Sequence, residues 1–244
     1  MKKITLSFIT LIIVTNSIRA QQTVHHQTLY WLYYTNQLYF TPKLYWLNTA
    51  DNRRFINPDQ ENQFIFHSHL HYKTGKWDFG GGLTLSSIYS QIPENGSDHI
   101  ATELRPTLEV NYDQPLGKIS IQNRIRLDNR FLETSNQQSV LDTSIYVLRF
   151  RYRIQVKIPL VKNKDNSTIL TFRLADEIML NHKENLFDQN RIYATLDYMI
   201  NKSFTIEAGY IYIYQQRYSK EEFFSRNVIR LGFQQKIFIH QKSQ

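Results

Sequence analysis

Across most of the chain, apolar and polar residues alternate with a period of two, a pattern that a strand explains and a helix does not. Between residues 149 and 160, Arg149, Arg151, Arg153, Gln155 and Lys157 fall on one parity. Phe150, Tyr152, Ile154, Val156, Ile158 and Leu160 fall on the other. Arg124, Arg126, Asp128 and Arg130 set against Ile125, Leu127 and Phe131 repeat the pattern, as do Arg191, Tyr193, Thr195 and Asp197 against Ile192, Ala194, Leu196 and Tyr198. Each strand thus has one greasy face and one charged face. The breaks in the pattern predict strands over 28–39, 44–55, 61–74, 76–91, 100–114, 117–132, 142–160, 167–181, 188–200, 203–218 and 223–239. Thr41-Pro42-Lys43, Thr74-Gly75-Lys76, Pro115-Leu116-Gly117 and Asn201-Lys202-Ser203 supply turn chemistry. Longer polar connections at 92–99, 133–141 and 181–187 alternate with these tight turns.

Strands of this length exceed the ~5 to 6 residues usual in soluble proteins. They suit a tilted strand that crosses a bilayer, which needs ~9 to 11 residues in the hydrocarbon, and projects beyond it. The predicted fold is all-β: an antiparallel up-and-down transmembrane β-barrel of about twelve strands, within a range of ten to twelve. Bacterial single-chain barrels have even counts, so a twelfth strand is expected from residues 21–32 or from a split segment. Alternation alone does not say which face points inward, and a soluble periplasmic carrier with its apolar face inside is the competing reading. Length favours the membrane barrel, because about eight strands is the limit that ordinary side chains can fill. Trp31, Trp46, Trp77, Tyr89, Tyr112, Phe131, Tyr210, Tyr212, Tyr214, Phe223 and Phe224 are expected in aromatic girdles at the two interfaces. Pro106 inside a strand predicts a bulge, and Asp176 on an apolar parity predicts a bulge or an error in the strand assignment.

The N-terminal stretch needs separate treatment. Lys2 and Lys3, the apolar run from Ile4 to Val14 and Ala20 before Gln21-Gln22 read as a signal peptide over residues 1–20, leaving one barrel domain over 21–244. Its removal leaves 26 basic against 21 acidic residues, a charge of +5, too mild to argue for nucleic acid. The absence of cysteine fits an exported chain that does not rely on disulfides. Charged residues make up 20% of the chain, and no internal apolar run approaches the length of a spanning helix. Localisation in the outer membrane, contact with its lipid and a monomeric state are the expectations, with no cofactor and no nucleic-acid partner.

In the barrel reading the charged parity lines the lumen. Glu103, Arg105, Arg124, Arg126, Asp128, Arg130, Arg149, Arg151, Arg153, Arg173, Glu177, Arg191 and Glu207 would form a charge ladder across strands ~4.8 Å apart, with Glu109 and Arg230 on the same face. Such a ladder braces the wall, or it selects anions and grips a small anionic solute or a lipid phosphate. His67, His69 and His71 share one face at metal-compatible spacing, but no Cys or carboxylate accompanies them in sequence, so a polar lumen stripe is the reading. No catalytic residue is assigned: Ser68 has the opposite parity and no G-x-S-x-G is present. An outer-membrane enzyme acting on lipid or lipopolysaccharide is the alternative to a channel or binding barrel. Gly80-Gly81-Gly82 lacks phosphate-loop spacing and predicts close packing or a bend.

Taken together, Glu103-Leu104-Arg105, Arg124-Ile125-Arg126-Leu127-Asp128-Asn129-Arg130, Arg149-Phe150-Arg151-Tyr152-Arg153, Glu177 with Asn181, Phe187 through Tyr193 and Glu207-Ala208-Gly209-Tyr210 resemble the bacterial family called domain of unknown function 2490. The resemblance runs over roughly residues 28–238, with Asp128 standing where the family usually has Glu. It implies an exported outer-membrane β-barrel and supplies no activity or ligand.

Overall fold

The computed structural model describes residues 22–93, 100–133, 144–183, 185–217 and 221–239. The expected signal peptide, residues 94–99 of one expected connection, and residues 134–143, which include the start of the strand expected over 142–160, lie outside the described residues. Eleven strands are present among the described residues: β1 (Thr23–Tyr39), β2 (Leu44–Phe55), β3 (Gln60–Thr74), β4 (Trp77–Ile88), β5 (Ala101–Leu116) and β6 (Ile119–Glu133). They are followed by β7 (Ser144–Lys162), β8 (Thr168–Asn181), β9 (Phe187–Met199), β10 (Phe204–Gln216) and β11 (Glu222–Phe238).

Every strand pairs with its sequence neighbour in antiparallel register, and β1 pairs with β11 to close the barrel. The count falls inside the expected ten to twelve, but the expected twelfth strand is not formed among the described residues. Residues 23–27 extend β1 instead of making a strand of their own. With an odd number of strands the first and last run in the same direction, so the closing ladder is parallel, over seventeen positions from Thr23↔Glu222 to Tyr39↔Phe238.

One rim carries the tight turns. Gly75 and Gly117 adopt φ of 58° and 60° in two-residue turns, a left-handed conformation that strains residues with a Cβ. Thr41 Oγ1 accepts the Leu44 N–H at 2.9 Å, and Asn201 Oδ1 accepts those of Ser203 and Phe204 at 2.8 and 3.0 Å, so side chains satisfy the turn backbone. The opposite rim carries the longer connections. There Arg54 hydrogen-bonds Asp59 at 2.7 Å and also Glu61, holding the Asp59 carboxyl below the ordinary carboxylate range.

The two faces separate sharply. Leu83, Leu108, Ile125, Leu174, Ile192 and Leu231 point outward and are exposed, whereas Glu103, Asp128 and Glu177 point inward and are fully buried. A soluble barrel has the reverse arrangement. Polar side chains on the outside are few, and several are satisfied by tyrosine: Tyr210 donates to Asn227 at 2.5 Å, Tyr152 to Asn123 at 2.7 Å and Tyr146 to Asn129 at 2.9 Å. Aromatic pairs cluster toward the strand ends, with Trp77 and Tyr112 ring centroids 4.6 Å apart at the tight-turn rim and Tyr214 and Phe223 5.1 Å apart at the other.

Four expectations are corrected. Pro106 makes no bulge: pairing of β5 with β6 lapses at Arg105 and Pro106 and resumes in the same register, Leu104↔Phe131 and then Thr107↔Asp128, because a missing N–H removes a bond without adding a residue. Asp176 also sits in regular register, opposite Ile192, as an outward-facing carboxylate that accepts from Asn190 Nδ2 at 2.6 Å. Trp31 and Phe224 are not girdle residues, since both are buried inside the barrel. Finally, β4 ends at Ile88 instead of Gln91, because the chain from Tyr89 onward turns in over the rim.

Candidate functional site

The inward parity of β5 to β8, continued on β10 and β11, builds a lattice of ion pairs organised around four buried carboxylates. Glu103 accepts from Arg105 at 2.7 Å and from Arg130. Asp128 accepts from Arg126 at 2.7 Å, Arg151 at 3.3 Å and the Thr107 hydroxyl at 3.0 Å. Glu177 accepts from Arg124 at 2.5 Å, Arg151 at 2.9 Å and the Tyr193 hydroxyl at 2.8 Å, so groups of β6, β7, β8 and β9 meet on one side chain. Nearer the tight-turn rim Glu207 accepts from Arg173 and lies 3.2 Å from Arg230. A buried carboxylate costs free energy unless paired and hydrogen-bonded, and each of these four has at least two donors.

The sequence-predicted residues are not all drawn into that lattice. Arg149 pairs with Asp188 at 2.7 Å, a partner the alternation did not nominate. Arg153 donates to Gln122 at 3.4 Å and Arg191 donates its Nε to Gln189 at 2.9 Å; neither makes an ion pair among the described residues. The three histidines do face inward together, with ring centroids 5.7 and 6.3 Å apart in succession. Their nitrogens, however, take local partners: His67 Nδ1 bonds Thr84 Oγ1 at 2.7 Å and His71 Nδ1 bonds Asp78 at 2.8 Å. Among the described residues no group of three His, Asp or Glu is disposed to hold a metal ion. Gly80 provides the room that His71 needs, since a Cβ there would come within 2.4 Å of the imidazole.

A family model described as protein of unknown function, DUF2490, matches residues 28–224. The chain belongs to DUF2490. No curated protein matches the sequence. Among solved structures, the DUF2490 barrel is similar to the outer-membrane expressed OmpT of Vibrio cholerae, at 11% identity and a TM-score of 0.37, over 73% of this chain and 57% of that one. The chain thus spans little more than half the length of that protein.

Away from the ion-pair lattice, the inner wall of the DUF2490 barrel carries apolar side chains among its charged ones. Leu29 and Trp31 of β1, Phe55 of β2, Ile211 and Ile213 of β10 and Val228 of β11 form one buried cluster that reaches the lattice at Ala175 of β8 and Tyr193 of β9. Within the barrel lies a cavity of about 650 Å³, in the size range of small-molecule sites. Thirteen arginine or lysine residues and four carboxylates line it. Adding Glu103, Asp128, Glu177 and Glu207, which pair with several of those arginines, still leaves an excess of five positive charges.

At the loop-side end Arg53 caps the Trp31 ring at 3.8 Å and pairs with Asp51 at 2.9 Å. Arg226 stacks over Phe224 at 4.1 Å and is held by the amide oxygens of Gln27, Gln215 and Gln91 at 2.7, 2.9 and 3.1 Å. Sequence reasoning missed Asp51, Arg53 and Arg226. All three share the inward parity of their strands, so the alternation that found Arg149 and Arg151 could have found them too. Gln91 also binds Gln27 of β1 and Asn62 of β3, so the segment after β4 reaches across the rim from β3 to β11.

Proposed function

We propose that this protein is an outer-membrane β-barrel of Gram-negative bacteria, delivered by a signal peptide, whose lumen is closed and serves as a binding chamber for anions. The observation that carries the reading is Glu177, where guanidinium and hydroxyl groups from three other strands converge on a fully buried carboxylate and tie the wall inward. Eleven strands ~4.8 Å apart and tilted by ~40° give a backbone radius of roughly 11 Å, and buried arginines project into that span from β2, β5, β6, β7, β9 and β11. The apolar exterior supports the membrane reading over a soluble periplasmic carrier, because it would otherwise expose far more apolar surface than soluble monomers tolerate. The excess of cationic groups around the cavity supports anions as ligands. An enzyme acting on lipid or lipopolysaccharide finds less support: the hydroxyl closest to an imidazole, that of Thr84, is fully buried between His67 and His69.

The test is conductance of the mature protein in a planar bilayer, once heat-modifiable gel migration has shown a folded barrel. A closed chamber gives no discrete steps. Anion-selective steps that disappear when Arg124, Arg126, Arg149 and Arg151 are neutralised would replace the chamber with a narrow arginine-filtered channel, and recovery of the protein in the soluble periplasm would remove the membrane reading.

A further inference from the structure

We propose that the loop-side end of the lumen binds a phosphate monoester carried on an apolar body, with the phosphate between Arg191 and Arg226 and the body against Trp31 and Phe224; this rests on the closed-chamber reading above. Arg191 and Arg226 are both buried and both line the cavity. Arg226 feels the charge of Arg191, Arg53 and Arg217, and among the described residues its hydrogen-bond partners are amide oxygens. Arg191 gives its Nε to Gln189 and, although it lies opposite Glu177 in the β8–β9 ladder, makes no ion pair among the described residues. The surrounding carboxylates are already engaged: Asp51 with Arg53, Glu222 with Arg217, Asp188 with Arg149, and Glu177 with Arg124, Arg151 and Tyr193. Among the described residues, two guanidinium groups are therefore left without an ion-pair partner of their own, Arg191 sharing only the field of Glu177, which Arg124 and Arg151 already engage, in a site where an unpaired charge is costly.

The same place holds an unmet donor. Trp31 is 4% exposed, lines the cavity, and its Nε1–H has no acceptor among the described residues. An oxyanion supplies what is missing: negative charge for the two arginines and an acceptor for the indole. Two uncompensated charges match a phosphate monoester, which carries about −1.5 to −2 at neutral pH, better than a carboxylate. The forked donors of arginine suit phosphate oxygens. The rest of the ligand is indicated by the neighbouring wall, where Leu29, Ile213, Phe224 and the Trp31 ring offer apolar surface beside the cations. An inorganic ion would leave that surface unused.

The chain has three tryptophans, and Trp46 and Trp77 lie on the outer surface. Trp46→Phe with Trp77→Phe therefore leaves Trp31 as an internal reporter. Titrating this folded barrel in detergent with phenyl phosphate should give a saturable change in emission, confirmed by calorimetry. Inorganic phosphate and benzoate should bind about tenfold more weakly or less. Arg191→Gln and Arg226→Gln should each cost about tenfold or more, the usual scale for losing a charged hydrogen bond. Lysophosphatidic acid separates the two sources of such a group: tighter binding that phenyl phosphate displaces assigns the site to a lipid head, and binding of phenyl phosphate alone assigns it to a soluble ester. No saturable response to either phosphate, or a response unchanged in both glutamine variants, overturns the proposal. If a glutamine variant loses heat-modifiable folding, Arg191→Lys and Arg226→Lys replace it, and unaltered affinity for phenyl phosphate over benzoate in both would overturn the forked recognition. A barrel that stays silent in a bilayer yet ignores both phosphates keeps the closed chamber and loses this site, whereas a conducting barrel that binds them does the reverse.

Discussion

Arg124 of β6 donates to Glu177 of β8 at 2.5 Å, arching past β7, the strand that lies between them. Neighbouring strands are held by backbone ladders, but this bond joins strands that share none. Glu177→Leu removes that link and leaves Arg124 without its carboxylate, Arg151 with only Asp128, and the Tyr193 hydroxyl without an acceptor. Leaving buried cations unpaired typically costs about 3–5 kcal/mol. The urea midpoint for unfolding from lipid vesicles should fall accordingly, and a variant with an unchanged midpoint would show that the lattice does not brace the wall.

Gly232 faces Tyr33 across the closing ladder. A Cβ at residue 232 would come within 1.8 Å of the Tyr33 ring, which is buried and lies under Arg230, and whose hydroxyl accepts from Gln234 Nε2 at 2.9 Å. Gly232→Ala should reduce the heat-modifiable, closed fraction on gels. Adding Tyr33→Ala, which removes the ring, should restore closure; failure of that rescue would place the cause in the glycine backbone itself.

The membrane reading predicts a dependence on depth. Leu231 is exposed at the middle of the outer band, and Gln235 lies toward the tight-turn rim beside the Tyr34 hydroxyl, at 2.5 Å. Arg at the bilayer midplane costs roughly 2–4 kcal/mol and near the interface roughly 0–1. Folding titrations in vesicles should therefore show Leu231→Arg strongly destabilised and Gln235→Arg nearly unaffected. Equal effects at the two positions would count against a bilayer around this wall.

An odd strand count sends the two ends of the barrel to different rims. β1 starts beside Glu222 on the long-loop side, and β11 ends beside Tyr39 on the tight-turn side. Epitopes placed ahead of Thr23 and after Phe238 should be reached by antibody from opposite faces of the membrane. Labelling of both from the same face of intact cells would mean that the barrel in the membrane closes with a different number of strands.

Most of the wall was readable because polar and apolar residues alternate cleanly where one face is apolar and turned outward and the other is charged and turned to the lumen. From β5 to β9 that contrast fixes both the strand and its inward side, as at Arg149 to Lys157. It fades on β1, where Leu29, Trp31 and Tyr33 point in while Tyr30, Leu32 and Tyr34 point out. With both faces apolar, parity has nothing to sort, and Trp31 looked like an interfacial residue. Partnerships were still less legible: that Arg149 meets Asp188 and Arg124 meets Glu177 depends on how far each strand is staggered against the next, which a single chain does not spell out. Pro106 misled because its missing N–H suggested an extra residue, whereas the ladder only skips a bond.

The parallel β1–β11 ladder joins the parts of the barrel farthest apart in sequence, and it is also the longest, with seventeen paired positions against fourteen in the next, β6–β7. Parallel pairing is slightly weaker per residue, and no hairpin holds these two strands in place, so extra length is the available compensation. A wall fastened most heavily where it has no covalent turn has no natural side door. Any path to the interior that leaves the strands paired therefore runs through one of the two ends, past the Gln91 crossing on one or the tight turns on the other.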